Sequence, residues 1–125
     1  MEIKNKIFEG ERSLFSSCGL KIYDCIFQNG ESPLKESKDI YLKGSNFKWK
    51  YPLWYSNDVL VEESKLDVTA RSGIWYTHNI TINDTLIEAP KTFRRSSFIT
   101  LNNINMPNAL ETMWNCKNIV LNNVS

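Results

Sequence analysis

The chain repeats itself about every twenty residues. An Ile, Leu or Val recurs at Leu20, Ile40, Val59, Ile80, Ile99 and Ile119, at spacings of 20, 19, 21, 19 and 20. Each start opens an apolar-x-apolar pair: Leu20 and Ile22, Ile40 and Leu42, Val59 and Val61, Ile80 and Ile82, Ile99 and Leu101, Ile119 and Leu121. That is the period-two alternation of a strand with one buried face. A repeat this short cannot bury its own apolar face, so the stack of repeats must be the folding unit.

Further columns keep the same register. Six residues before each start stand Leu14, Leu34, Leu53, Ile74, Phe93 and Met113, an apolar column. Three before stand Ser17, Ser37, Ser56, Thr77, Ser96 and Cys116, all small. One before stand Gly19, Asp39, Asp58, Asn79, Phe98 and Asn118, turn formers with one exception. Five after stand Cys25, Ser45, Ser64, Thr85 and Ile104; seven after stand Phe27, Phe47, Leu66, Ile87 and Met106. Asp24, Gly44, Asn83-Asp84 and Asn102-Asn103 fall between as corners, where left-handed backbone angles are tolerated.

Each repeat thus holds three short extended pieces separated by corners. Stacked, they predict an all-β protein: a right-handed parallel β-helix (a solenoid) of about six coils of 19–21 residues, with a rise near ~4.8 Å per coil. A left-handed hexapeptide helix needs an apolar residue at every sixth position, and a leucine-rich repeat needs a frame that Ile99 to Met106 does not follow. The 125 residues suffice for one domain, 1–125.

Composition narrows the function classes. Fifteen Lys and Arg against fourteen Asp and Glu give a net charge of +1, so no nucleic-acid or membrane partner is expected. No apolar run approaches the ~20 residues of a membrane helix, and no apolar stretch follows the charged start. Cys18, Cys25 and Cys116 form an odd set with no CxxC pair, and His78 is the single histidine. Reduced thiols, a cytoplasmic location, no cofactor and no metal are the expectations. The sequons at Asn79, Asn83 and Asn123 read as accidents of an Asn-rich chain.

The chemistry-bearing residues gather in the longer corner before each third strand. The column after the buried apolar one reads Phe15, Lys35, Trp54, Trp75, Arg94, Trp114, and the next reads Ser16, Glu36, Tyr55, Tyr76, Arg95, Asn115. If the apolar column points in, the first of these points out. Both are exposed only if the chain bends just before the small column. At coil spacing Trp54 stacks on Trp75 and Tyr55 on Tyr76, with Lys35 and Arg94 flanking the Trp pair. Aromatic planes beside cations suit a sugar ring that carries a carboxylate. Candidate ligand-binding residues are therefore Lys35, Glu36, Trp54, Tyr55, Arg71, Trp75, Tyr76, Lys91, Arg94, Arg95 and Trp114. The competing explanation is structural: such stacks hold coil register without a ligand, and the cations cap them. Glu31, Glu36, Glu88 and Glu111 read as solvated corners or as partners of Arg71, Arg94 or Arg95, and His78 as a surface turn residue.

The segments Gly30 to Glu36, Trp49 to Tyr55, Ala70 to Tyr76, Ala89 to Arg95 and Glu111 to Cys116, with Gly10-Glu11-Arg12, resemble a bacterial domain-of-unknown-function family, number 3737. The resemblance spans the whole chain and implies a pectate-lyase-like right-handed β-helix. It implies no established activity, so no catalytic residue is carried over. It also implies a longer protein, of which this chain corresponds to the N-terminal part.

Two function classes follow. One is an acidic-polysaccharide binder or β-elimination lyase, with Arg71, Lys91, Arg94, Arg95, Lys50 or Tyr76 as base or charge neutraliser. Asp39, Asp58, Asp67 and Asp84 are scattered at corners, which argues against a calcium cluster and against a paired-carboxylate glycosidase. The other is a non-enzymatic structural or protein-interaction scaffold. Ile119 to Ser125 open a coil and stop, so an uncapped C-terminal edge is expected, met either by more solenoid or by an end-to-end homodimer.

Overall fold

The computed structural model describes residues 1–109 and 111–125. They form parallel strands and no helix, wound as a right-handed β-solenoid of about six turns. The first sheet stacks Glu2–Lys4, Cys18–Tyr23, Lys38–Lys43, Asn57–Glu62, His78–Ile87, Ser97–Asn105 and Lys117–Val124 in chain order. Its register is the column read from sequence: Leu20 faces Ile40, which faces Val59, then Ile80, Ile99 and Ile119. A second sheet stacks Ile7–Phe8, Ile26–Phe27, Asn46–Phe47 and Lys65–Leu66 and then merges into the far half of His78–Ile87. A third holds Leu53–Trp54, Ile74–Trp75 and Phe93–Arg94, extended by a single bridge from Arg94 to Trp114.

The apolar columns line the tube. Ile22, Leu42, Val61, Ile82 and Leu101 are fully buried, as are Leu34, Leu53, Ile74 and Phe93 from the opposite wall. Phe8, Phe27 and Phe47 stack face to face at 5.1 and 4.7 Å. The small columns solve a different problem. A corner inside the tube leaves peptide groups that need partners away from water. Ser45, Ser64 and Thr85 supply hydroxyl oxygens that accept from the amides of Cys25, Ser45 and Ser64, one coil back, at 3.1–3.3 Å. Ser56, Thr77 and Ser96 act likewise at the other corner: Thr77 Oγ1 donates to the Leu53 carbonyl at 2.7 Å, and Ser96 Oγ accepts from the Thr77 amide at 3.0 Å. Each hydroxyl therefore ties one coil to the next.

Corners are made by left-handed residues at fixed columns. Asp24, Glu63, Asp84 and Asn103 form one such column, Asp39, Asp58, Asn79, Phe98 and Asn118 another, and Glu36, Tyr55, Tyr76, Arg95 and Asn115 a third, all with φ between 45 and 60°. Gly44 completes the first column at φ 63°, and a Cβ there would run into the Asp24 carboxylate. Gly30 is required for a different reason, because a Cβ would overlap the Gly10 carbonyl of the preceding coil.

The apolar column breaks at its sixth member. Met113 turns through φ 62°, unlike Leu34 to Phe93, and is only half-buried.

Candidate functional site

The third sheet places the outward column as a ridge. Trp54 stacks on Trp75 with ring centroids 5.1 Å apart and planes within 6°. The indole N–H of Trp54 donates to the Ser72 carbonyl, and that of Trp75 to the Lys91 carbonyl at 3.0 Å. Ser72 and Lys91 hold the same left-handed corner on successive coils. Each indole is thus pinned by the coil beyond it, which is why the rings lie parallel.

Arg94 continues the ladder as a cation. Its guanidinium lies 4.8 Å from the Trp75 centroid and 4.1 Å from that of Trp114, so it is clamped between two indole faces. No ion pair among the described residues involves an arginine, so of the alternatives for the corner glutamates a pair with Arg71, Arg94 or Arg95 is not formed. Arg94 Nε is buried without a hydrogen-bond partner. Stacking uses the faces of the guanidinium plane and leaves the donors along its edge for a planar acceptor.

A parallel stack runs beside it. Tyr55 and Tyr76 are 4.6 Å apart and within 4° of parallel, and the Lys35 ammonium sits 5.7 Å over Tyr55. Lys35 therefore does not flank the Trp pair. Tyr51 packs against Trp54 instead, tilted by 45° with ring centroids 4.4 Å apart. The chain does bend where expected: Glu36, Tyr55, Tyr76 and Arg95 adopt left-handed φ immediately before the small column. The bend turns both outward columns toward solvent.

A lateral groove of about 620 Å³ opens along this ridge, lined by Ser72, Trp75, Lys91, Arg94, Glu111, Thr112, Met113, Trp114 and Asn115. Of the residues expected to bind, it gathers Trp75, Lys91, Arg94 and Trp114. Trp54 lies just behind, stacked on Trp75 and packed by Tyr51. Lys35, Tyr55 and Tyr76 form the neighbouring stack. Glu36, Arg71 and Arg95 are exposed and do not line the groove. Trp114, 52% exposed, offers the accessible indole surface. Glu111, read from sequence as a solvated corner or an arginine's partner, is the groove's carboxylate and pairs with Lys91 at 3.6 Å. Its signal was present, since it shares a column with Lys91.

Two further features lie outside the groove. On the outer face of the first sheet Tyr41 Oη donates to Glu62 at 2.6 Å, Asn83 donates to Glu62, Asn102 to Asn83 and Asn122 to Asn102. The Glu62 hydrogen bond pushes the Tyr41 hydroxyl up to about 12, and the same bond holds Glu62 below the usual carboxylate range. His78, exposed as expected, shares a 2.6 Å hydrogen bond with Ser97. Among the described residues no group of three or more His, Cys, Asp or Glu is placed to hold a metal ion. The three cysteines are unbridged; burial raises the Cys116 thiol above its usual value.

Fold and ridge together define a β-solenoid domain with an aromatic and cationic flank. The chain belongs to a family of proteins of unknown function, DUF3737, whose model matches residues 1–125. No curated protein matches it.

Proposed function

We propose that the protein binds an acidic oligo- or polysaccharide in the groove beside Arg94. The carrying observation is the guanidinium held between Trp75 and Trp114 with no carboxylate of its own. A sugar ring packs on the exposed Trp114 face while its carboxylate meets the edge of the Arg94 fork, with Lys91 as the second cation. The pectate-lyase-like β-helix that the sequence resemblance implies is in keeping with the same ligand class. Whether the bound chain is also cleaved by β-elimination is read directly from the ultraviolet absorbance of unsaturated uronates.

The test is a glycan-array screen followed by titration with the best acidic hit. Arg94→Ala and Trp75→Ala are expected to abolish binding while the β-sheet circular dichroism spectrum persists. Absence of binding to every acidic glycan, or full affinity in both variants, removes the groove from consideration.

A further inference from the structure

The groove holds two cations and one carboxylate, and they are not equivalent. Arg94 is clamped by indoles on both faces and has no anionic partner. Lys91 and Glu111 stand on the same corner column of adjacent coils, at φ 55 and 52°, with side chains 53% and 74% exposed. Their backbone positions are fixed by the solenoid, while their charged ends are free to swing in water. At 3.6 Å, Glu111 occupies the ammonium that an incoming carboxylate would use.

We propose that Glu111 is the groove's built-in competitor: in the free protein it engages Lys91, and a ligand carboxylate must displace it. This rests on the acidic-carbohydrate reading above. The geometry gives the sign. A carboxylate held by Arg94 enters a groove that Glu111 also lines, and like charges at physiological salt repel over about one Debye length, ~8 Å. It therefore meets repulsion as well as competition for Lys91. The size is modest, because an exposed ion pair is weak and easily opened. Glu111 tunes the preference for charged over neutral sugars, and it does so without blocking the groove.

The experiment compares wild type, Glu111→Gln and Lys91→Gln by calorimetry against two probes, an oligogalacturonate and its fully methyl-esterified counterpart. Glu111→Gln is expected to tighten the charged probe by roughly 1.5- to fivefold, the range open to one exposed pair. The esterified probe should be unaffected, and the gain should shrink as salt is raised. Lys91→Gln should weaken the charged probe. Unchanged or weaker binding of the charged probe by Glu111→Gln overturns the inference, and wild-type binding of that probe then leaves the acidic-carbohydrate reading standing. An equal gain on both probes also overturns it, since the effect would be one of shape. If neither wild type nor variant binds the charged probe, both readings fall. Glu111 is exposed, and an unchanged melting temperature separates a charge effect from a folding defect.

Discussion

At the scale of the residue, the left-handed corners are the most demanding positions in this chain. An L-residue in that conformation costs about 1–2 kcal/mol, and Asn, Asp and Gly bear it best. The column Gly19, Asp39, Asp58, Asn79, Phe98, Asn118 obeys this except at Phe98, which keeps φ 55° and is 61% exposed. Nothing in its burial offsets the strain. Phe98→Asn is therefore expected to stabilise the protein by roughly 1 kcal/mol, raising the melting temperature by about 3–5 °C in a domain of this size. An amide there also stands in line with Asn79, which already donates to Asp58 at 2.7 Å. A melting temperature equal to or below wild type, followed by circular dichroism, would mean that the Phe98 ring makes contacts worth the strain. Tyr55 and Tyr76 break the same rule in their own column, but their 4.6 Å stacking offsets it.

At the scale of the element, ladders of like side chains hold neighbouring coils in register. The Tyr41–Glu62–Asn83–Asn102–Asn122 ladder contains one ionised member, and its pH dependence follows. Tyr41 is raised from 10.0 to about 12, so the folded state keeps its proton where the unfolded chain has lost it. Its contribution is full below pH 10 and is lost as pH rises through about 12. Glu62 is lowered from 4.5, so its contribution is full above that value and fades as pH falls through the depressed one. Spectrophotometric titration of the five tyrosines should show one late ionisation that disappears in Tyr41→Phe. A late phase that survives the substitution would place it on another tyrosine. The indole ladder works in the same manner, except that Arg94 replaces a ring and leaves a charge without a protein counterion.

At the scale of the whole molecule, a solenoid is quasi-one-dimensional, since each coil touches only its neighbours. Damage in the middle therefore separates the two halves. Ile82 is fully buried between Val61 and Leu101. A lone carboxylate there costs several kcal/mol, comparable with a total stability of about 5–15 kcal/mol. Ile82→Asp should leave no cooperative melt and no β-sheet spectrum; a variant that melts like wild type would show that this column is not the core. The two ends expose unpaired strand edges, and open edges pair with other chains. Sedimentation at micromolar concentration is expected to show self-association of the 125-residue chain, reduced by Leu121→Lys. A clean monomer would mean that the Asn122 and Asn123 ladders and the charged ends blunt the edge by themselves.

The periodicity was enough to determine architecture, because a β-solenoid writes each column of its structure as a column of its sequence. The apolar wall, the small hydroxyl corners and the stacking of Trp54 on Trp75 and Tyr55 on Tyr76 all follow from neighbours about one coil apart. The partners chosen by long, flexible side chains did not follow. Whether Lys35 lies over a Trp or over Tyr55, whether Arg94 caps the ladder or enters it, and whether Glu111 faces solvent or Lys91 depend on rotamers and on which neighbouring face is already occupied. Likewise the bifunctional hydroxyls, each accepting from an amide one coil back while donating to a carbonyl, were legible only as small residues. Backbone register is set by a repeating burial pattern that every coil enforces, and so it survives in one dimension. Side-chain pairing is decided by differences of about 1 kcal/mol between nearby alternatives, and only the assembled surface resolves them.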